Sequence, residues 1–135
     1  MVPKRLYLFL FFLALTVGAF GQQMYDRSGS LIGRYDNGRI YDSSGSYEGK
    51  IDSGRFYDRS GSYLGQEKSG KLYDRSGAYA GYVSGGQYYD RSGSLVGSIR
   101  SGQVYSRSGS LIGRFNKVPD LVAALVFFYG FYPLR

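Results

Sequence analysis

The chain has 135 residues, room for one domain, with 21 Gly, 15 Tyr and neither Cys nor His, so disulfide staples, thiolate or imidazole metal sites and histidine-based catalysis are excluded. Its formal charge of +7 mildly favours acidic partners. The cations alternate with Asp, however, and no basic stripe forms, which reads as a solvated mixed surface.

Residues 1–5 are short and basic, and residues 6–17 are apolar apart from Tyr7 and Thr16. Ala19 and Gly21 set small residues at the −3 and −1 positions of a signal-peptidase site, which predicts an exported protein cleaved before Gln22. An uncleaved N-terminal anchor is the rival reading, although the apolar run is short against the roughly 20 residues a membrane span needs. No Cys follows it, so a lipoprotein anchor is excluded. Without residues 1–21 the chain keeps 15 basic and 10 acidic side chains, net +5. An exported chain without Cys fits the bacterial envelope, periplasmic or secreted, better than a small eukaryotic secreted domain.

Beyond that segment the chain repeats every 16 residues in unbroken register. Tyr returns at Tyr25, Tyr41, Tyr57, Tyr73, Tyr89 and Tyr105. Gly returns at Gly29, Gly45, Gly61, Gly77, Gly93 and Gly109, again at Gly33, Gly49, Gly65, Gly81, Gly97 and Gly113, and a third time at Gly38, Gly54, Gly70, Gly86 and Gly102. Residues 25–104 make five full units, and a partial sixth runs from Tyr105 to about Lys117. Each unit holds two turns. Asp58-Arg59-Ser60-Gly61 and its equivalents suit a type I turn followed by a left-handed Gly, a three-residue hairpin loop with a bulge. Asn37-Gly38, Ser53-Gly54, Ser69-Gly70, Gly85-Gly86 and Ser101-Gly102 again set Gly where positive φ is needed. The segments between are long enough for short strands, and no helical periodicity appears.

Residues two apart on a strand share a face. Leu31, Tyr47, Tyr63, Tyr79, Leu95 and Leu111 therefore side with the Gly33-type positions, the large residue as core and the Gly as the seat of a neighbouring unit's aromatic ring. The residue between them tolerates Glu48 and is expected to be more exposed. Ile40, Phe56, Leu72, Tyr88 and Val104 precede the repeated Tyr, so those strands read as buried on both faces. After Lys117 the pattern stops. Pro119 and Asp120 suit the start of a helix, Gly130 and Pro133 its end, and the nearly all-apolar residues 121–132 predict a helix buried in protein or in lipid. The favoured reading is a plug or cap for the ring, with membrane contact or a dimer interface as the rival.

The run YDRSGSLIG followed by SGxΦYDRSG, where Φ is apolar, resembles the β-flower repeat proteins, small exported bacterial proteins whose short hairpins radiate as petals around an axis. Ile40-Tyr41-Asp42-Ser43-Ser44-Gly45 and Leu72-Tyr73-Asp74-Arg75-Ser76-Gly77 carry it, and it covers roughly residues 24–115. The Tyr-Asp core is also similar to the longer YD repeats of large exported toxins. The β-flower resemblance implies an all-β fold, a closed ring of short antiparallel hairpins with a short apolar C-terminal helix packed on or in it, and it implies no activity. The domain reading is a signal peptide over 1–21, a hairpin-repeat domain over 22–117, and a tail over 118–135 completing that domain.

Chemistry-bearing motifs are sparse. Each turn offers one Asp, far from the six to eight oxygens of a calcium site. No Ser stands out among its equivalents, and carboxylates such as Glu48 and Glu67 do not form a glycosidase pair. Neither an enzyme nor a cofactor is expected. The candidate ligand contacts are Tyr41, Tyr57, Tyr73, Tyr89, Arg59, Arg75 and Arg91, which could stack on and pair with a glycan. The plainer reading makes each Tyr a core wedge with its hydroxyl paired to the adjacent unit. The expectation is a non-catalytic exported structural or interaction protein of the bacterial cell envelope, with a glycan or cell-wall module as the alternative. Its partners would be an acidic polysaccharide or an envelope protein; nucleic acid is not expected. Protein purified from its native host should begin at Gln22, and an intact mass that retains residues 1–21 would refute the cleavage.

Overall fold

The computed structural model describes residues 22–134. The expected signal peptide lies outside the described residues. Twelve strands follow one another: β1 Gln23–Asp26, β2 Leu31–Asp36, β3 Arg39–Asp42, β4 Tyr47–Asp52, β5 Arg55–Asp58, β6 Tyr63–Lys68, β7 Lys71–Asp74, β8 Tyr79–Ser84, β9 Gln87–Asp90, β10 Leu95–Arg100, β11 Gln103–Ser106 and β12 Leu111–Asn116. Each pairs antiparallel with its sequence neighbours, and β1 pairs with β12, so the sheet closes into a barrel. Closure removes every sheet edge. It also completes the sixth repeat, because Gln23 and Met24 supply the strand that the partial unit lacks.

The two turns perform as their residues dictate. In the first, the N–H of Gly61 donates to the carbonyl of Asp58 at 3.0 Å, and the N–H of Asp58 donates to the carbonyl of Ser62 at 2.9 Å. Gly61 takes φ +88. In the second, both central residues have positive φ, as at Asn37 (50°) and Gly38 (87°). That is the two-residue type I′ turn whose twist matches the flanking strands. All turns of one kind lie on one rim, so the barrel has an Asp-Arg-Ser-Gly rim and a two-residue-turn rim.

Met24, Ile40, Phe56, Leu72, Tyr88 and Val104 point inward, each no more than 3% exposed. Their cross-strand partners Tyr35, Ile51, Val83, Ile99 and Phe115 form a second apolar tier. Glu67 holds the sixth place in that tier, and its carboxylate accepts the Gly70 N–H at 3.0 Å. These strands are buried on one face only, because the repeated Tyr is half-buried on the outer wall.

The facing expected for the longer strands is reversed. Tyr25 pairs with Leu31 and Met24 with Gly33, leaving Ile32 unpaired at a bulge, and the same shift recurs in all six units. The extra residue breaks the two-residue alternation. Leu31, Tyr47, Tyr63, Tyr79, Leu95 and Leu111 therefore face outward, with Tyr79 and Leu111 the most exposed of them. Ile32 is buried instead, and Leu64, Ala80, Val96 and Ile112 pack against the core. Glu48 is tolerated there because its carboxylate reaches the Arg59 guanidinium at 3.2 Å.

Lys117 takes φ 54, as Ser101 takes 50 in the equivalent turn, so the chain leaves the repeat at the two-residue-turn rim. The helix α1, Asp120–Phe127, then enters the barrel. Six consecutive residues, Val122 to Phe127, are buried, which requires protein on every side of it. Eight residues of helix rise about 12 Å, close to the length of a four-residue strand. The helix thus traverses the barrel and ends at the opposite rim, five residues before the apolar run ends at Tyr132.

From the last helical residue onward the chain lays one side chain on each hairpin glycine in turn: Phe127, still helical, on Gly113, then Phe128 on Gly97, Tyr129 on Gly81, Phe131 on Gly65, Tyr132 on Gly49 and Leu134 on Gly33. The glycines do receive rings, but from the tail and not from neighbouring units. Tyr132 donates its hydroxyl to the carbonyls of Lys50 (3.0 Å) and Tyr57 (2.9 Å), and Tyr129 to that of Tyr89 (2.8 Å). Burial holds both phenols well above their ordinary pKa, and pushes Tyr88 up to about 12.

A Cβ at Gly97 would stand 2.3 Å from Phe128 and 2.5 Å from the Tyr105 carbonyl, whereas one at Gly93 (φ +87) would meet open space. Gly97→Ala should therefore cost about 3 kcal/mol by overpacking, and Gly93→Ala about 1 kcal/mol of backbone strain; urea melts of the two variants check the order. Each large tail side chain contributes roughly 1.5–3 kcal/mol by burial. Deleting residues 121–135 should abolish cooperative unfolding in a circular-dichroism melt. An unchanged melt would show that the ring stands without its plug.

Candidate functional site

The two outward surfaces that carry chemistry are the Asp-Arg-Ser-Gly rim and the outer wall. On the rim, each turn folds around its Asp. Asp42 Oδ1 accepts the Ser44 hydroxyl at 2.6 Å, the Ser44 N–H at 2.9 Å and the Ser46 N–H at 3.0 Å, and Asp58, Asp74 and Asp90 repeat the pattern. In the sixth unit Ser106 substitutes, its hydroxyl accepting the Ser110 N–H at 3.2 Å. The Ser hydroxyl, followed by the N–H two residues further on, lowers these four carboxyls below the ordinary 3.8. The Arg of the following unit adds to this, Arg75 for Asp58, Arg91 for Asp74 and Arg107 for Asp90. Three successive turns are thus electrostatically linked, each carboxylate feeling the next turn's guanidinium, and Ser106 ends the series with no carboxylate of its own. Ser43 interrupts the pattern in the second unit.

The candidate arginines Arg59, Arg75 and Arg91 all lie on this rim and are exposed. Arg59 pairs with Glu48 of the preceding unit. The candidate tyrosines lie elsewhere, on the outer wall, so the structure does not gather the two sets into one site. Tyr41, Tyr57 and Tyr73 meet Tyr47, Tyr63 and Tyr79 edge-on, with ring centroids 6.0, 6.1 and 6.4 Å apart. Tyr89 stacks on Tyr82 at 4.6 Å. None of the four is a core wedge. Tyr89 donates its hydroxyl to Gln87 of its own strand at 2.7 Å, not to an adjacent unit.

Cations complete the wall. Arg34 lies 5.4 Å from the Tyr41 ring and Lys50 lies 5.5 Å from the Tyr57 ring, while Arg100 covers Tyr105 and Arg114 covers Tyr25. Eight tyrosines therefore form a band over β3 to β9, partly capped by positive charge. Tyr47, Tyr63, Tyr79 and Tyr82 belong to this band although the candidate set leaves them out. No local sequence signal marks Tyr47, Tyr63 and Tyr79, because the inserted residue that moves them to the outer face shows only in the strand register.

Among the described residues no group of three acidic side chains could hold a metal ion, and no helix is long and apolar enough to cross a membrane. A carboxyl lowered by native hydrogen bonds adds stability above its unfolded value, and that stability disappears as pH falls through the folded value. The melting temperature should therefore hold from neutral pH to about 4 and fall below it. The triple variant Asp58→Asn, Asp74→Asn, Asp90→Asn should show a shallower fall, measurable by thermal melts between pH 7 and 2.

The chain matches the family described as 5-fold beta-flower protein over residues 21–132. Comparison with curated proteins and with solved structures gives no match. Five two-residue turns link hairpins covalently here, and the pairing of β12 with β1 supplies a sixth position in the ring. The beta-flower repeat fold is not a known enzyme class. With its 16-residue hairpin units, closed ring and match over most of its length, this chain belongs to the beta-flower family.

Proposed function

We propose that this chain is a non-catalytic exported interaction protein of the bacterial cell envelope. The observation that carries the reading is the tyrosine band on the outer wall. The turn carboxylates are engaged in holding turns, and the tail hydroxyls are engaged by barrel carbonyls. The tyrosines of β3 to β9 instead present half-exposed ring faces and edges on a closed, edge-free support, with Arg34 and Lys50 beside them. Rigid amphipathic rings with few rotatable bonds suit recognition.

A second reading, a glycan or cell-wall-binding module, is favoured by the same band. Aromatic pairs spaced around a curved wall match the alternating apolar faces of an extended sugar chain, and the adjoining cations suit an acidic one. Retention on isolated cell wall, compared with capture on envelope membrane proteins, separates the two. The glycan reading expects the double variant Tyr57→Ala, Tyr73→Ala to lose retention on cell wall while keeping its melt. Equal retention of variant and parent on cell wall would remove the tyrosine band from the glycan reading, and equal capture on envelope proteins would remove it from the other.

A further inference from the structure

Near-identical units make departures from symmetry visible, and two of them coincide on the Asp-Arg-Ser-Gly rim. The bulged position carries Ile32, Glu48, Leu64, Val96 and Ile112 in five units but Ala80 in the remaining one. The tail lays a side chain over Gly81 with Tyr129 and over Gly65 with Phe131, and between them passes the exposed Gly130 at φ 69. Where the short Ala80 and the bare Gly130 meet, a recess of about 430 Å³ opens.

Its apolar lining comes from Leu64, Ala80 and the Phe131 and Tyr129 rings, and Arg75 and Arg91 border it from two successive turns. Tyr129 gives its hydroxyl to the Tyr89 carbonyl, so its ring is what it offers a ligand. Asp74 also borders the recess, but its Oδ1 already accepts three donors of its own turn. Two guanidiniums against one engaged carboxylate leave the recess net positive. Its volume falls in the range of small-ligand sites.

We propose that this recess binds the uronic acid ring of an acidic sugar. The Arg75 and Arg91 guanidiniums take the carboxylate through charge-assisted hydrogen bonds, and the less polar face of the pyranose lies on Ala80, Tyr129 and Phe131. The site deepens the glycan reading above: the tyrosine band meets the polymer along its length, and the recess selects the acidic unit.

Titration of the protein with D-glucuronate, followed by amide shifts in ¹⁵N NMR, tests it. The expected result is a saturable shift centred on Arg75, Ala80, Arg91 and Gly130 with a dissociation constant of about 1 mM, and no such shift with D-glucose or acetate. Ala80→Leu should abolish binding and leave the melt unchanged, since Leu64 fills the same position in the preceding unit. Arg91→Gln should weaken binding about tenfold. Glucose binding as well as glucuronate, acetate matching it, or undiminished binding by Ala80→Leu would each overturn the site. Glucuronate bound at the recess by a protein that isolated cell wall does not retain upholds the site and rejects the polymer reading. Retention on cell wall with no glucuronate shift rejects the site and leaves the polymer reading standing.

Discussion

Everything in this barrel depends on six glycines that have no Cβ. At each, the strand leaves a gap beside an inward-facing carbonyl, and a single side chain of the tail fills it. A methyl group at these positions would fall 2.2 to 2.7 Å from that backbone oxygen, closer than carbon and oxygen can approach. The glycines therefore do two jobs at once: they let the strands bulge and they let the tail seat. An interior built from strands of four and six residues holds few inward side chains per strand, too little to fill a twelve-strand ring. The apolar helix and the splayed tail make up the volume, and close packing follows from that division of labour.

The outer wall inherits its character from the same bulge. Because the inserted residue turns inward, the large residue before it turns outward and meets the repeated Tyr across the strand pair. The tyrosine band is thus the reverse side of the packing solution, and edge-to-face contacts between the rings hold it in a defined shape. The rim is built on another principle. At Asp42, Asp58, Asp74 and Asp90 one carboxylate oxygen accepts three donors of its own turn, while Arg75 and Arg91 stand exposed on the rim.

The two turns, the burial of Ile40, Phe56, Leu72, Tyr88 and Val104, and the burial of the tail were legible in the residues, because each has a local cause: a Gly at positive φ, an apolar residue at a constant phase, a continuous apolar run; the closed ring came with the family resemblance. What was not legible has a non-local cause. Nothing adjacent to Leu31 or Tyr47 announces the bulge that turns them outward. Nothing near Gly97 names Phe128 as the ring that fills it. The helix end at Phe127 is also set from outside, since the six glycine seats pull the following residues away from helical geometry although their composition would allow another turn. Of the seven candidate contacts, the arginines are on the rim and the tyrosines on the wall. The sequence could place each on its element but could not show that the two sets lie apart. The recess was hidden for the same reason, being made by Ala80 and Gly130, 50 positions apart in the chain.

The seating of the tail also joins parts of the chain that are far apart in sequence. Leu134 sits on Gly33 and Phe115 beside Met24, so the first hairpin finds its permanent neighbours only among the residues synthesised after nearly all the others. Hairpins closed by type I′ turns can flicker into existence early, within microseconds of their synthesis. The interior they share is completed by the tail, and pairing across such a span is slow to nucleate. In space, the tail meets the repeats in the reverse of their sequence order, Phe127 on the glycine of the last unit and Leu134 on that of the first.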